Sequence, residues 1–113
     1  MRVQQIYFHS NEAHSILKAP QKYHLPSTRT TAKIHWRMLR LAFLDYQFQL
    51  PKIMQVGTYC CLIIAGAKIY CKVLNAASGG SFLVVDCLDI DAIILRRISQ
   101  DFYASKLVAQ QKP

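Results

Sequence analysis

Two runs rich in β-branched, aromatic and cysteine residues, separated by a three-residue turn, constrain this chain more than any other feature. They are Gln55 to Ile64 and Lys68 to Leu74, with Ala65-Gly66-Ala67 between them. Such residues fit a pleated, half-buried surface, and a small turn containing glycine joins neighbouring antiparallel strands. A third strand is expected over Phe82 to Cys87, after a loop at Asn75-Ala76-Ala77-Ser78-Gly79-Gly80 with clear turn chemistry. Asp89 then starts a helix in which Ile90, Ile94, Ile98 and Phe102 recur at every fourth position, running to about Leu107. Strands grouped together and followed by a helix define an α+β chain with a small antiparallel sheet of about three strands and a C-terminal helix.

The N-terminal third has a different character. Arg2, Lys18, Lys22, Arg29, Lys33, Arg37 and Arg40 face only Glu12 across residues 1–44. A short helix is expected over Asn11 to Lys18, capped by Ser10 and stopped by Pro20. Residues 1–30 otherwise read as a basic arm whose order depends on a partner, and residues 31–113 as one small domain. A longer amphipathic helix is expected over residues 31–50. Leu39, Ala42, Phe43, Tyr46 and Leu50 mark its apolar face, Lys33, Arg37 and Arg40 its basic face, and Pro51 ends it.

The formal net charge is +8 on 113 residues, and 52% of those residues are hydrophobic. The charge points to a polyanionic partner, and the apolar content excludes a disordered basic tail. Together they suit a structural subunit of a large ribonucleoprotein, with an organellar, mitochondrial ribosome as the expected setting. The RNA phosphate backbone would then be met by Arg2, Lys18, Lys22, Arg29, Lys33, Arg37 and Arg40, with Trp36 placed to stack on a base. An Arg-rich, acid-poor N-terminal region also has the composition of a mitochondrial targeting segment. The alternative is a small subunit of a mitochondrial membrane complex, with the uncharged run 53–67 in or on the bilayer between Lys52 and Lys68. That run is shorter than the roughly 20 apolar residues a spanning helix needs.

No residue pattern calls for catalysis, a metal or another cofactor. His9, His14, His24 and His35 lack metalloprotease spacing, and Cys60, Cys61, Cys71 and Cys87 contain no Cys-x-x-Cys pair. The thiols are expected to be reduced and buried. Asp86, Asp89 and Asp91 form an acidic cluster, but Asp89 and Asp91 are explained as a cap and a first-turn acid of the last helix. Gly79-Gly80 lacks phosphate-loop spacing.

The residues Gln55-Val56-Gly57-Thr58-Tyr59, Gly66-Ala67-Lys68 and Cys71-Lys72-Val73-Leu74 resemble the opening of the fourteenth large-subunit ribosomal protein family. The resemblance implies a strand, a turn ending in Gly-Ala and a second strand. It spans residues 55–74 and departs at Ile64 and Ala65, where that family has polar residues. No residue role follows from it.

Overall fold

A computed structural model describes residues 3–35, 55–76, 82–98 and 100. Their centre is a five-stranded antiparallel sheet. The strands are β1 (Val3–Phe8), β2 (Arg29–His35), β3 (Tyr59–Ile64), β4 (Ala67–Ala76) and β5 (Phe82–Leu88). Their order across the sheet is β1-β3-β4-β5-β2. Helix α1 (Asn11–Lys18) lies between β1 and β2, and a second helix, α2, covers residues 89–98 after β5.

The fold is therefore α+β as expected, with five strands rather than about three. The two further strands come from segments given other roles above. Val3–Phe8 was expected to be arm and is an edge strand on β3, and Thr31 to His35 were expected to open a helix and complete β2. In β2, Ala32 and Ile34 are buried while Thr31 and Lys33 are exposed. That alternation of period two belongs to a strand on a sheet, not to a helix face. The boundary drawn at residue 30 falls inside β2. The rest of the expected helix, 36–50, lies outside the described residues, as do the loop residues 77–80 and everything beyond residue 100.

The β3–β4 hairpin turns through Ala65 and Gly66, with φ of 50° and 81°, and Ile64 faces Ala67 across it. Positive φ at both central residues gives the turn the twist that a two-residue hairpin needs. This places β3 inside the sheet, so residues 59–64 of the uncharged run 53–67 are strand. Among the described residues, no helix is long and apolar enough to cross a membrane.

The sheet's inner face carries Cys60, Leu62 and Ile64 from β3, Ile69, Cys71 and Val73 from β4, and Leu83, Val85 and Cys87 from β5. Ala32 and Ile34 join from β2, Ile6 and Phe8 pack against the cluster from β1, and α2 seals it with Ala92, Leu95 and Ile98. Of the expected fourfold repeat, Ile98 is buried and Ile94 packs against the core, while Ile90 is exposed and Ala92 and Leu95 complete the buried stripe. Each fully buried aliphatic side chain contributes about 1.5–3 kcal/mol relative to exposure. All four cysteines are free thiols and buried, as expected.

Helix α1 packs on the opposite, outer face. Ser10 Oγ accepts from the Ala13 N–H at 3.1 Å, which is the expected cap, and Pro20 opens a 3-10 turn over Pro20–Tyr23. Ala13, Ile16 and Leu17 meet Cys61, Tyr70 and Leu88 beneath the helix. Glu12 completes the attachment by accepting from Tyr70 Oη at 3.1 Å and from Lys68 Nζ at 3.3 Å.

Asp91 has a structural task at the point where β5 leaves the sheet. Pairing of β4 with β5 reaches Cys71 opposite Cys87, one residue short of Tyr70. The buried Asp91 carboxylate, in the first turn of α2, accepts from the Tyr70 N–H at 3.4 Å. A side chain thus takes the place of the missing strand carbonyl, as a buried backbone donor requires. Burial pushes this carboxyl up from 3.8 to about 6, and the Tyr70 N–H offsets part of that shift.

Replacing Ala65 by Asn, which tolerates the left-handed conformation, is expected to stabilise the fold by about 0.5–1 kcal/mol, read as a higher urea midpoint. The folded state holds the Asp91 proton more tightly than the unfolded chain between pH 3.8 and about 6, so stability falls as pH rises through that window and then levels. Asp91→Asn keeps an acceptor without the charge. It is expected to flatten this part of the pH–stability curve and to gain roughly 1–2 kcal/mol at neutral pH. An unchanged curve would contradict this role of Asp91.

Candidate nucleic-acid interface

Among the described residues, α1 covers the β3 and β4 side of the sheet's outer face. Across β4, β5 and β2 the register builds rows of side chains on that face. Lys72 lies opposite Asp86, and Asp86 opposite Thr31. A bulge between Val73 and Asn75 pushes out Leu74, which is 39% exposed. Beyond the bulge, Asn75 faces Val84, and Val84 faces Lys33. Tyr59 extends the Lys72 row onto β3.

Two of these lysines sit over aromatic rings. Lys33 Nζ is 3.9 Å from the centroid of Phe82, and Lys72 Nζ is 5.4 Å from that of Tyr59. Each such contact contributes roughly 0.5–1 kcal/mol at an exposed site, enough to orient the ammonium without burying it. Arg29 reaches Asp86 at 3.4 Å. This pair is solvent-accessible and adds little to stability, on the order of 0–1 kcal/mol. Its larger effect is to hold the only acid of these rows beside a cation. The rows therefore carry Arg29, Lys33 and Lys72 against Asp86, with Tyr59 and Phe82 among them.

The expected RNA-binding residues fall into three groups. Arg29 and Lys33 lie together on the outer side of β2. Lys18 is exposed in the last turn of α1, and Lys22 is exposed in the 3-10 turn. Arg2, Trp36, Arg37 and Arg40 lie outside the described residues. The basic helical face built on Lys33, Arg37 and Arg40 is corrected at its first member, because Lys33 projects from a strand. Sequence reasoning missed Lys72, Tyr59 and Phe82. Their signal was the alternation within β3, β4 and β5, where each falls out of phase with the residues that face the core.

A cavity open to solvent, lined by polar and apolar groups alike, adjoins this surface where β1 leads into α1. It has a volume of about 480 Å³, and its lining includes His9, Asn11, His14, Gln55, Val56, Thr58 and Tyr59. His9 turns the chain with φ of 55°, and the Ser10 N–H then donates to the Tyr59 carbonyl at 2.7 Å. On the opposite wall, Gly57 adopts φ of 93°, and its N–H donates to the Val73 carbonyl at 2.8 Å. His14 meets Tyr59 edge-on, with ring centroids 4.6 Å apart.

The acidic cluster divides by environment. Asp86 pairs with Arg29, Asp91 holds the Tyr70 N–H, and Asp89 is exposed while its own N–H donates to the Thr28 carbonyl at 3.0 Å. Among the described residues, no group of three or more His, Cys, Asp or Glu side chains is placed to hold a metal ion. Burial pushes the Cys61 thiol up to about 11 and the Cys87 thiol up to about 12. A hydrogen bond to Cys60 and complete burial also raise the Cys71 thiol well above its ordinary value. These three thiols stay protonated at neutral pH, which is the opposite of what a nucleophile needs.

Compared with known proteins, the chain matches no family model, no curated sequence and no solved structure.

Proposed function

We propose that this chain is a non-catalytic, basic structural subunit of a large ribonucleoprotein, and that it binds RNA through phosphates. A mitochondrial ribosome is the assembly this reading expects. One observation carries the proposal: among the described residues, the outer face of the sheet gathers Arg29, Lys33 and Lys72 around two aromatic rings and a single, already paired carboxylate. Cations on a pleated surface can track a phosphate backbone, and rings among them offer stacking platforms. Lys18 and Lys22 add exposed charge on the α1 side, within a chain of formal net charge +8. The same outer face supports a second property of such a subunit, since Val84 and the bulged Leu74 leave apolar surface beside the cations for neighbouring chains.

Binding through phosphates releases condensed counterions, so affinity falls linearly with salt on a logarithmic scale. The full chain is expected to bind RNA with a steep salt slope. Lys33→Ala with Lys72→Ala should weaken binding about tenfold or more and make the slope shallower by about 1 to 2. Fluorescence anisotropy over a salt titration measures both quantities. An affinity that does not respond to salt, or to these two replacements, would count against the proposal.

A further inference from the structure

We propose that the cavity between the start of α1 and the Gln55–Tyr59 turn receives one unstacked base of a single-stranded RNA and reads it by its hydrogen-bonding edge. This rests on the RNA reading above and adds base recognition to phosphate binding.

Three observations support it. The first is the chemistry of the lining. His9, Asn11, His14, Gln55 and Thr58 supply amide, imidazole and hydroxyl groups, and among the described residues no carboxylate, ammonium or guanidinium lines the cavity. Amide and hydroxyl donors and acceptors suit the edge of a base. An amide presents a donor and an acceptor side by side, which is the pattern a base edge carries. The second is size and shape. About 480 Å³ lies within the range of small-molecule sites and is ample for one nucleobase. The edge-on pair of His14 and Tyr59 gives the cavity an aromatic wall. The third is continuity. Tyr59 belongs both to the cavity and to the basic face, where the Lys72 ammonium sits 5.4 Å from its ring. A strand whose phosphates follow Lys33 and Lys72 reaches the cavity beside the same tyrosine. A duplex hides its base edges by pairing, so the partner is a single strand or a loop.

The test uses the full chain and short labelled homopolymers of uridine, adenosine and cytidine, with a duplex RNA alongside, followed by fluorescence anisotropy. The wild type is expected to prefer one base over the others by roughly tenfold and to bind the duplex more weakly than the preferred strand. Asn11→Ala with Gln55→Ala, both at exposed positions, should reduce that preference to about twofold or less while the urea midpoint stays unchanged. Lys33→Ala with Lys72→Ala should weaken all homopolymers together and keep the preference. Equal affinity for the three homopolymers overturns the inference and leaves phosphate binding standing. A preference that survives in the Asn11 and Gln55 variant also overturns it, as does tighter binding of the duplex. If no RNA binds even at low salt, both this inference and the underlying reading fail.

Discussion

The register of the β3–β4 hairpin is the constraint on which the rest of the structure depends. Side chains on a strand alternate between faces, so a slip of one residue exchanges the two faces completely. The turn at Ala65 and Gly66 sets Ile64 against Ala67, and every later pair follows from that match. In this register Leu62, Ile64, Ile69 and Val73 enter the core, while Tyr59 and Lys72 point outward. One step of slippage would put a lysine into the core and isoleucines into water. The cost of burying an unpaired ammonium, together with the lost apolar burial, leaves a single workable register.

From that register the two faces acquire different roles. The inner face is continuous across five strands and is closed by α2. The outer face is divided. Helix α1 covers its β3 and β4 side and is anchored by the Glu12 bonds to Tyr70 and Lys68. Among the described residues, the remaining rows carry the basic and aromatic side chains. Asp91 links the two layers, because its carboxylate ends the sheet beside Tyr70 while its helix packs on the inner core. The same buried acid adds to the upward pull on the Cys61, Cys71 and Cys87 thiols, which keeps them protonated. Among the described residues, the exposed cations and rings of the candidate interface gather on the outer rows and the cavity beside them.

Local signals made the middle of the chain legible. The Ala-Gly turn, the strands on each side of it, the Ser10 cap and the helix after β5 all depend on residues close in sequence. The edge strands were not legible, because their partners are distant. Val3–Phe8 pairs with Tyr59–Ile64, and Arg29–His35 pairs with Phe82–Leu88. Neither edge strand has a strong local pattern. Gln4 and Gln5 dilute the first, and Thr30 and Thr31 in the second resemble helix caps. Lys33 also shares the i, i+4 and i+7 spacing of Arg37 and Arg40, which drew it into the expected helix, whereas it lies in β2. For the candidate interface, the sequence identified Arg29 and Lys33 through charge density. It did not reveal Lys72, Tyr59 or Phe82, whose grouping exists only once β3, β4, β5 and β2 are joined in one sheet.

The most direct test of the central claim is sedimentation of a gentle cell lysate through a sucrose gradient, with and without RNase, following this chain. The account predicts that the chain travels with large particles and that RNase releases it to the top of the gradient. Sedimentation that RNase leaves unchanged, with release by detergent instead, would contradict it.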